Sequence, residues 1–260
     1  MPEGDTIHKL AARLRPALVG STLDRFDAPR LTGPPPAVGS EITAVDAVGK
    51  HLLIAFADGT TLETHLRMTG SWHLYRTGER WRKPAHLARV VLGCGETIAV
   101  CFSAPVVRSH RDGGRRSLAH LGPDLCGPAT DDTLIDEVLE RLVQIAEPGT
   151  ALAEVLLDQR IASGIGNVYA NDLCWIHRLH PATPIEGVDT DTRRQLYATA
   201  ATLLRANLST QRRTTVPGGL AVYGRARRPC RRCGTPIRSG RVGLNARATW
   251  WCPRCQPEHR

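Results

Sequence analysis

The sequence predicts an α+β chain: an N-terminal helix, then antiparallel β structure, an all-helical middle, and a small C-terminal finger held by four cysteines. Three observations carry this. Apolar residues repeat at helical spacing before residue 16 and again between residues 123 and 210. Short runs rich in β-branched residues, joined by glycine-containing turns, fill the stretch between. Two Cys-x2-Cys knuckles stand near the C-terminus.

In chain order, Ile7, Leu10, Ala11 and Leu14 mark one face of a first helix, with Asp5 or Thr6 as its cap. Pro16 is expected to end or kink it. "PRLTGPPPAVGS" (29–40) reads as a loop. "HLLIAF" (51–56) and "TLETHL" (61–66), joined through Asp58–Gly59, read as a hairpin, and "LARVVL" (87–92) with "TIAVCF" (97–102) as another. Residues 1–122 therefore form a helix plus a β-sandwich or barrel. From Thr133 to Ala146 the helical period returns, with Asp131 and Asp132 as cap and first-turn acid. "ALAEVLLD" (151–158) and "TRRQLYATAATLLRANL" (192–208, capped near Thr190) are further helices, so residues 123–210 form a helical domain. Residues 211–260 comprise a linker and the cysteine module.

Charge is divided unevenly. Residues 205–260 hold thirteen arginines against the single acid Glu258, while residues 1–204 carry a net charge of −3. A basic module on a near-neutral body fits a polyanion such as nucleic acid, or a merely solvated basic surface. No apolar run approaches the ~18 residues of a membrane span, and the N-terminus lacks a secretory pattern, so a cytoplasmic protein is expected.

The knuckles are Cys230–Cys233 and Cys252–Cys255, spaced C-x2-C-x18-C-x2-C. Four thiolates at this spacing suit one tetrahedral, structural Zn2+ without an open coordination position; paired disulfides or free thiols are the alternatives. Cys94, Cys101, Cys126 and Cys174 show no such spacing and read as buried thiols. "GIGNVYAND" (164–172) is a glycine-rich turn opening a helix; it either cradles a phosphate, with Asn167 as an added donor, or simply joins two helices. At the N-terminus, "MPEG" has two readings. Proline lets Met1 be removed and does nothing more. Alternatively, once Met1 is gone, Pro2 presents a secondary amine that is substantially neutral near pH 7–8.

Taken together, "MPEG", "GKHLL" (49–53), "HLRMTGSW" (65–72), "HLGPDL" (120–125), "SGIGNVYAND" (163–172), "VYGR" (222–225) and "RATWWCPRCQ" (247–256) resemble, in that order, the formamidopyrimidine-DNA glycosylase/endonuclease VIII family. The resemblance spans nearly the whole chain. It implies a β-sandwich domain, a helix–two-turn–helix domain and a zinc finger, and a monomer that excises oxidised bases from damaged DNA and nicks the strand by β,δ-elimination. Pro2 would be the nucleophile and Glu3 the acid that protonates the sugar ring oxygen. Lys50 would be a catalytic lysine near the lesion phosphate and the leaving base. Arg247 would grip the flanking phosphates and serve the second elimination, with Asn167 beside it on the backbone. Met68 would wedge into the gap left by the flipped base, with Arg67 and Thr69 beside it. His65 and His120 lie in matched segments as packing or phosphate contacts. The formamidopyrimidine branch carries an Arg-Arg-Phe-Gly-type segment where this chain has Val106 and Val107, and the linker 209–224 is short for that branch's lesion-capping loop. Both point to the endonuclease VIII branch and to oxidised pyrimidines; oxidised purines, or a non-catalytic DNA-binding protein of the same fold, are the alternatives.

Overall fold

The structure is a computed structural model that describes residues 2–111, 113, 115–127 and 132–258. It divides into two compact units, Met1–His120 and Leu121–Arg260.

Among the described residues of the first unit, helix α1 (Gly4–Leu18) precedes eight strands: β1 (Arg25–Asp27), β2 (Ile42–Val48), β3 (His51–Phe56), β4 (Thr61–His65), β5 (Ser71–Arg76), β6 (Ala88–Cys94), β7 (Thr97–Phe102) and β8 (Val106–His110). They form two antiparallel sheets, ordered β1-β6-β7-β5 and β2-β3-β4-β8. Two separate sheets make a sandwich, not a barrel. Their inner faces share one core with α1, in which Ile7, Leu14, Leu52, Ile54, Trp72 and Leu92 are buried. The Trp72 indole N–H donates to Thr64 Oγ1 at 3.1 Å, tying one sheet to the other inside that core. A short helix, α2 (Arg115–Leu118), follows β8.

The expected cap of α1 needs correction. Its N-cap is Glu3, and Thr6 is the third helical residue, taking the Glu3 amide on its hydroxyl at 3.4 Å. Pro16 lies inside the helix and does not end it. A proline in the last turn removes only one intrahelical donor. Burial of Leu18 and the Arg15 guanidinium, which donates to Val45 O at 3.1 and 2.8 Å, hold that turn regardless.

In the second unit, α3 (Asp132–Ile145), α4 (Leu152–Leu157), α5 (Asn167–Ile176) and α6 (Thr190–Ala206) enclose a core that includes Val138, Leu142, Leu156, Tyr169 and Leu204. The cap of α6 is Asp189, next to Thr190: its carboxylate accepts both the amide and the hydroxyl of Thr192, at 2.8 and 2.6 Å. Asp131 lies outside the described residues. Gly122 of "HLGPDL" runs so close to the 160–161 backbone that a Cβ there would sit 2.3 Å from Ile161 O. The hairpin β9 (Arg238–Val242) and β10 (Arg247–Trp251) completes the chain's regular structure. Its module shares a small core with α5 through Trp175, Val222, Ile237 and Cys252. The preceding linker is fixed by Asp172, a buried residue of α5. Its carboxylate accepts the amides of Ala221, Val222 and Tyr223 at 2.7–2.9 Å and the Thr215 hydroxyl.

Candidate functional site

The four cysteine sulfurs of the knuckles lie within 4.8 Å of one another. Cys230 and Cys255 are 4.0 Å apart and Cys233 and Cys252 3.5 Å. A disulfide requires about 2.05 Å. A zinc tetrahedron with Zn–S near 2.3 Å requires sulfurs about 3.8 Å apart. The residues therefore fit one Zn2+, and a closed thiolate set makes it structural. Donors from the surrounding chain moderate the thiolate charge, among them the Trp175 indole N–H and the Arg232 amide on Cys230 Sγ, at 3.3 and 3.4 Å, and the Cys255 amide on Cys252 Sγ at 3.4 Å. The other four cysteines are all buried.

The same unit brings Asn167 and Arg247 together. Gly164, at φ +107, and Gly166, the N-cap of α5, shape the turn before Asn167. Gln159 fixes that turn by accepting the Gly164 amide and donating to Leu157 O and Ile165 O. Asn167 opens α5 and donates to Ala248 O at 2.8 Å, one residue past Arg247. One turn on, Asn171 Oδ1 accepts the Trp250 amide at 2.6 Å. Arg247 opens β10 with its side chain exposed. Thus "GIGN" is more than an interhelix joint, since the helix it starts carries the finger hairpin.

In the first unit, Pro2 stands directly before Glu3, which is fully buried at the head of α1. Lys50 occupies the two-residue turn between β2 and β3, where Val48 pairs His51. Gly49, at φ +55, supplies the positive φ that such a turn demands at its first position. Met68 is 70 % exposed in the turn after β4, so it is not a core methionine. Arg67 there has φ +46. Thr69 donates to Ser103 O at 2.9 Å, fastening the far side of the turn.

Between these two turns lies a polar cluster of which sequence reasoning singled out only His65, as a packing or phosphate contact. Glu63, fully buried, accepts from His51 Nδ1 and His110 Nε2, each at 2.8 Å, and from the Ser117 hydroxyl at 2.7 Å. Burial opposes its charge, but these donors outweigh it and hold the carboxyl at about 2. His65 meets His51 edge-on at 4.7 Å and accepts the Arg67 amide on Nδ1 at 3.2 Å. Burial, then the charges of His51, Arg67 and Lys50, lower its pKa to about 4. A neutral imidazole is the form that can accept from Arg67. The cluster thus sits against both the Lys50 turn and the Arg67–Met68 turn. Its signal was present in the predicted hairpin: pairing 51–56 with 61–66 puts His51, Glu63 and His65 on one face.

Acid sensitivity follows. His65 is neutral in the fold down to about pH 4, whereas an unfolded histidine takes a proton near 6.5. The unfolded state therefore binds more protons in that window, and stability falls as pH drops through it, by on the order of 3 kcal/mol from this group. Glu63 acts in a lower window: its contribution is complete above the unfolded carboxylate pKa of 4.5 and is lost as pH falls toward 2. Thermal midpoints measured from pH 7.5 to 4 should decline less steeply in His65→Asn than in the parent. His73 and His177, also lowered by burial, leave a residual slope. An unchanged slope in the variant counts against this assignment.

Comparison with known proteins places these features in one class of DNA-repair fold. The formamidopyrimidine-DNA glycosylase N-terminal domain matches residues 1–105, its H2TH domain residues 121–217, and the zinc finger found in FPG and IleRS residues 228–257. The chain belongs to the formamidopyrimidine-DNA glycosylase/endonuclease VIII family, on its endonuclease VIII side. It is 43% identical to the probable endonuclease 8 2 of Streptomyces coelicolor, over 98% of this chain and 94% of that protein. It is 38% identical to the DNA-(apurinic or apyrimidinic site) lyase Nei2 of Mycolicibacterium smegmatis, over 98% and 99%. Against the formamidopyrimidine-DNA glycosylase of Thermus thermophilus identity falls to 34%. The crystal structure of the Thermus thermophilus MutM (Fpg) protein superposes with a TM-score of 0.79 at 29% identity, covering both chains fully.

Proposed function

We propose that this chain is a bifunctional DNA glycosylase and AP lyase of base excision repair that removes oxidised pyrimidines from damaged DNA. The observation that carries the reading is the N-terminus: Pro2 directly precedes a buried Glu3 at the start of α1, in a chain of this family. The Pro2 nitrogen attacks the anomeric carbon of the extruded nucleotide, and the base departs with the electrons of the glycosidic bond and takes up the proton that the amine gives up. Glu3 protonates the ring oxygen, the sugar opens, and an iminium forms between Pro2 and the sugar. A proline iminium has no N–H to lose and stays cationic. It therefore acidifies the proton on the adjacent sugar carbon, whose removal expels the 3′ phosphate. Loss of the second phosphate completes the β,δ sequence.

The remaining residues serve extrusion and charge. Lys50 acts beside the lesion phosphate, and Asn167 and Arg247 hold the backbone flanking it. Met68 fills the vacated stack with Arg67 beside it, which is necessary because the anomeric carbon is unreachable in a stacked duplex. Zinc enters no step; it holds the finger. In functional terms residues 1–122 carry the nucleophile, 123–210 the Asn167 half of the backbone grip, and 211–260 the finger with its Arg247 half. The chain works as a monomer on DNA in the cytoplasm, at the nucleoid. Among the described residues no helix is long and apolar enough to cross a membrane.

Pyrimidine preference is supported by Val106 and Val107, which lie in β8, Val107 being buried in the sandwich core. It is also supported by the linker, which Asp172 ties down along Ala221–Tyr223 and which has little chain to cap a large flat base. A saturated pyrimidine stacks poorly, so extrusion itself selects it. The test is borohydride trapping on abasic DNA, followed by single-turnover rates on thymine glycol, 5-hydroxycytosine and 8-oxoguanine duplexes. An adduct, with the pyrimidine lesions fastest, is expected. A folded, Met1-processed protein that forms no adduct is a binding protein only. Fastest release of 8-oxoguanine opposite cytosine assigns the other branch's specificity.

A further inference from the structure

The β9–β10 hairpin is held on both sides of Arg247. After Arg247, Asn167 and Asn171 of α5 bind Ala248 O and the Trp250 amide. Before it, the turn 243–246 meets Glu154, in the first turn of α4. Glu154 Oε1 accepts both the backbone amide of Asn245, at 3.0 Å, and its side-chain amide, at 3.2 Å. Gly243, at φ +77, lets the carboxylate in: a Cβ there would lie 2.0 Å from Glu154 Cδ. The turn is further set by Ala246, at φ +46, and by Arg241, which donates to Ala246 O at 2.8 Å. Val242 and Arg247 then close the ladder as its first pair.

We infer that Glu154 is a positioning residue for Arg247: it latches the hairpin tip to α4 so that the guanidinium is presented at a fixed place. An acid so near a phosphate-gripping arginine is otherwise a liability, since it repels the same DNA backbone. Its value lies in geometry. Leu244 at the tip is fully exposed and Arg247 is exposed, so without the latch the turn has no apolar anchor of its own. A tip ordered before binding avoids the entropy of ordering it on DNA. An error of about 1 Å at a group acting in the transition state costs up to about a hundredfold in rate.

This inference rests on the role given to Arg247 above, and the experiment separates the two. Single-turnover cleavage, the ratio of β- to δ-product and DNA affinity are measured for the full-length zinc-loaded protein and for Glu154→Ala, Glu154→Gln, Arg247→Ala and the Glu154→Ala/Arg247→Ala double variant. Glu154→Ala should slow cleavage about ten- to a hundredfold and raise the β-product share, with zinc content unchanged and affinity for undamaged DNA equal or tighter. Glu154→Gln keeps an acceptor for Asn245 and should recover most of the rate. In the double variant the Glu154 change should add nothing, as required of residues acting through one group. An Arg247→Ala protein with the parent's rates removes the role of Arg247 itself. A damaging Arg247→Ala combined with a silent Glu154→Ala, or fully multiplicative effects in the double variant, overturns the latch and leaves that role standing.

Discussion

A protein that retains Met1, or carries a glycine ahead of Pro2, should lose both base release and strand cleavage by roughly three orders of magnitude or more, the usual cost of removing a covalent nucleophile. With a residue in front, the proline nitrogen becomes a tertiary amide whose lone pair is delocalised into the carbonyl. It is then neither basic nor nucleophilic. DNA affinity should stay within about threefold, because phosphate contacts by Lys and Arg dominate it and none is altered. The measurements are single-turnover nicking of abasic DNA, borohydride trapping, and equilibrium binding to a non-cleavable abasic analogue. A blocked protein that nicks at the normal rate removes Pro2 as the nucleophile. Glu3→Gln offers an internal control: it preserves the volume of a fully buried side chain. It should impair excision of a damaged base more than cleavage at a preformed abasic site, where the sugar already samples the open aldehyde.

How far the fold could be read in advance depended on local periodicity. The two hairpins 51–66 and 87–102 were legible because β3 alternates buried and half-buried residues without interruption and glycines mark the turns. Strand β2 was not, because a register shift between Ile42 and Ala44 puts its buried residues, Ile42 and Val45, three apart. A bulge of that kind erases the period of two. Strand β5 was lost for another reason. Trp72 faces the shared sandwich core, while Tyr75 packs with Val91, Val100 and Phe102 in a second cluster. A strand buried on both faces carries no alternation. The zinc ligands were fully legible, since metal spacing is local in sequence. The neighbourhood of Asn167 and Arg247 was legible through the family resemblance alone and not from any local pattern: Ala248 lies 81 residues from Asn167, and only the packing of the hairpin on α5 brings them together. The Glu63 cluster shows the intermediate case: His51 and His65 lie in "GKHLL" and "HLRMTGSW", but Glu63, which ties the cluster together, lies in neither motif and is visible only once strand pairing is assigned.

Removing zinc should do more than unfold a thirty-residue module. Trp175 belongs to α5, yet its indole N–H bonds to the ligand Cys230 and its ring lies under the Arg232 guanidinium at 4.0 Å. The small core of the finger is shared with that helix through Trp175, Val222 and Ile237. Structural zinc contributes about 10–16 kcal/mol in isolated fingers, which equals or exceeds the whole stability of a typical domain. Metal-free protein, or Cys233→Ser, should therefore lose the hairpin and also loosen the end of α5, exposing Trp175, Trp250 and Trp251 to water. Tyr223, whose ring lies 4.6 Å from that of Trp250, should be released with them. Tryptophan emission should shift to the red on chelation. Trp72 and Trp81, held in the two clusters of the first unit, should keep their protection. Cleavage should fall with Arg247's support, since both the Asn167 and Asn171 tethers end on β10. A fully reduced, metal-free preparation with unchanged emission and unchanged cleavage would show that the cysteine cluster needs no metal to hold the hairpin.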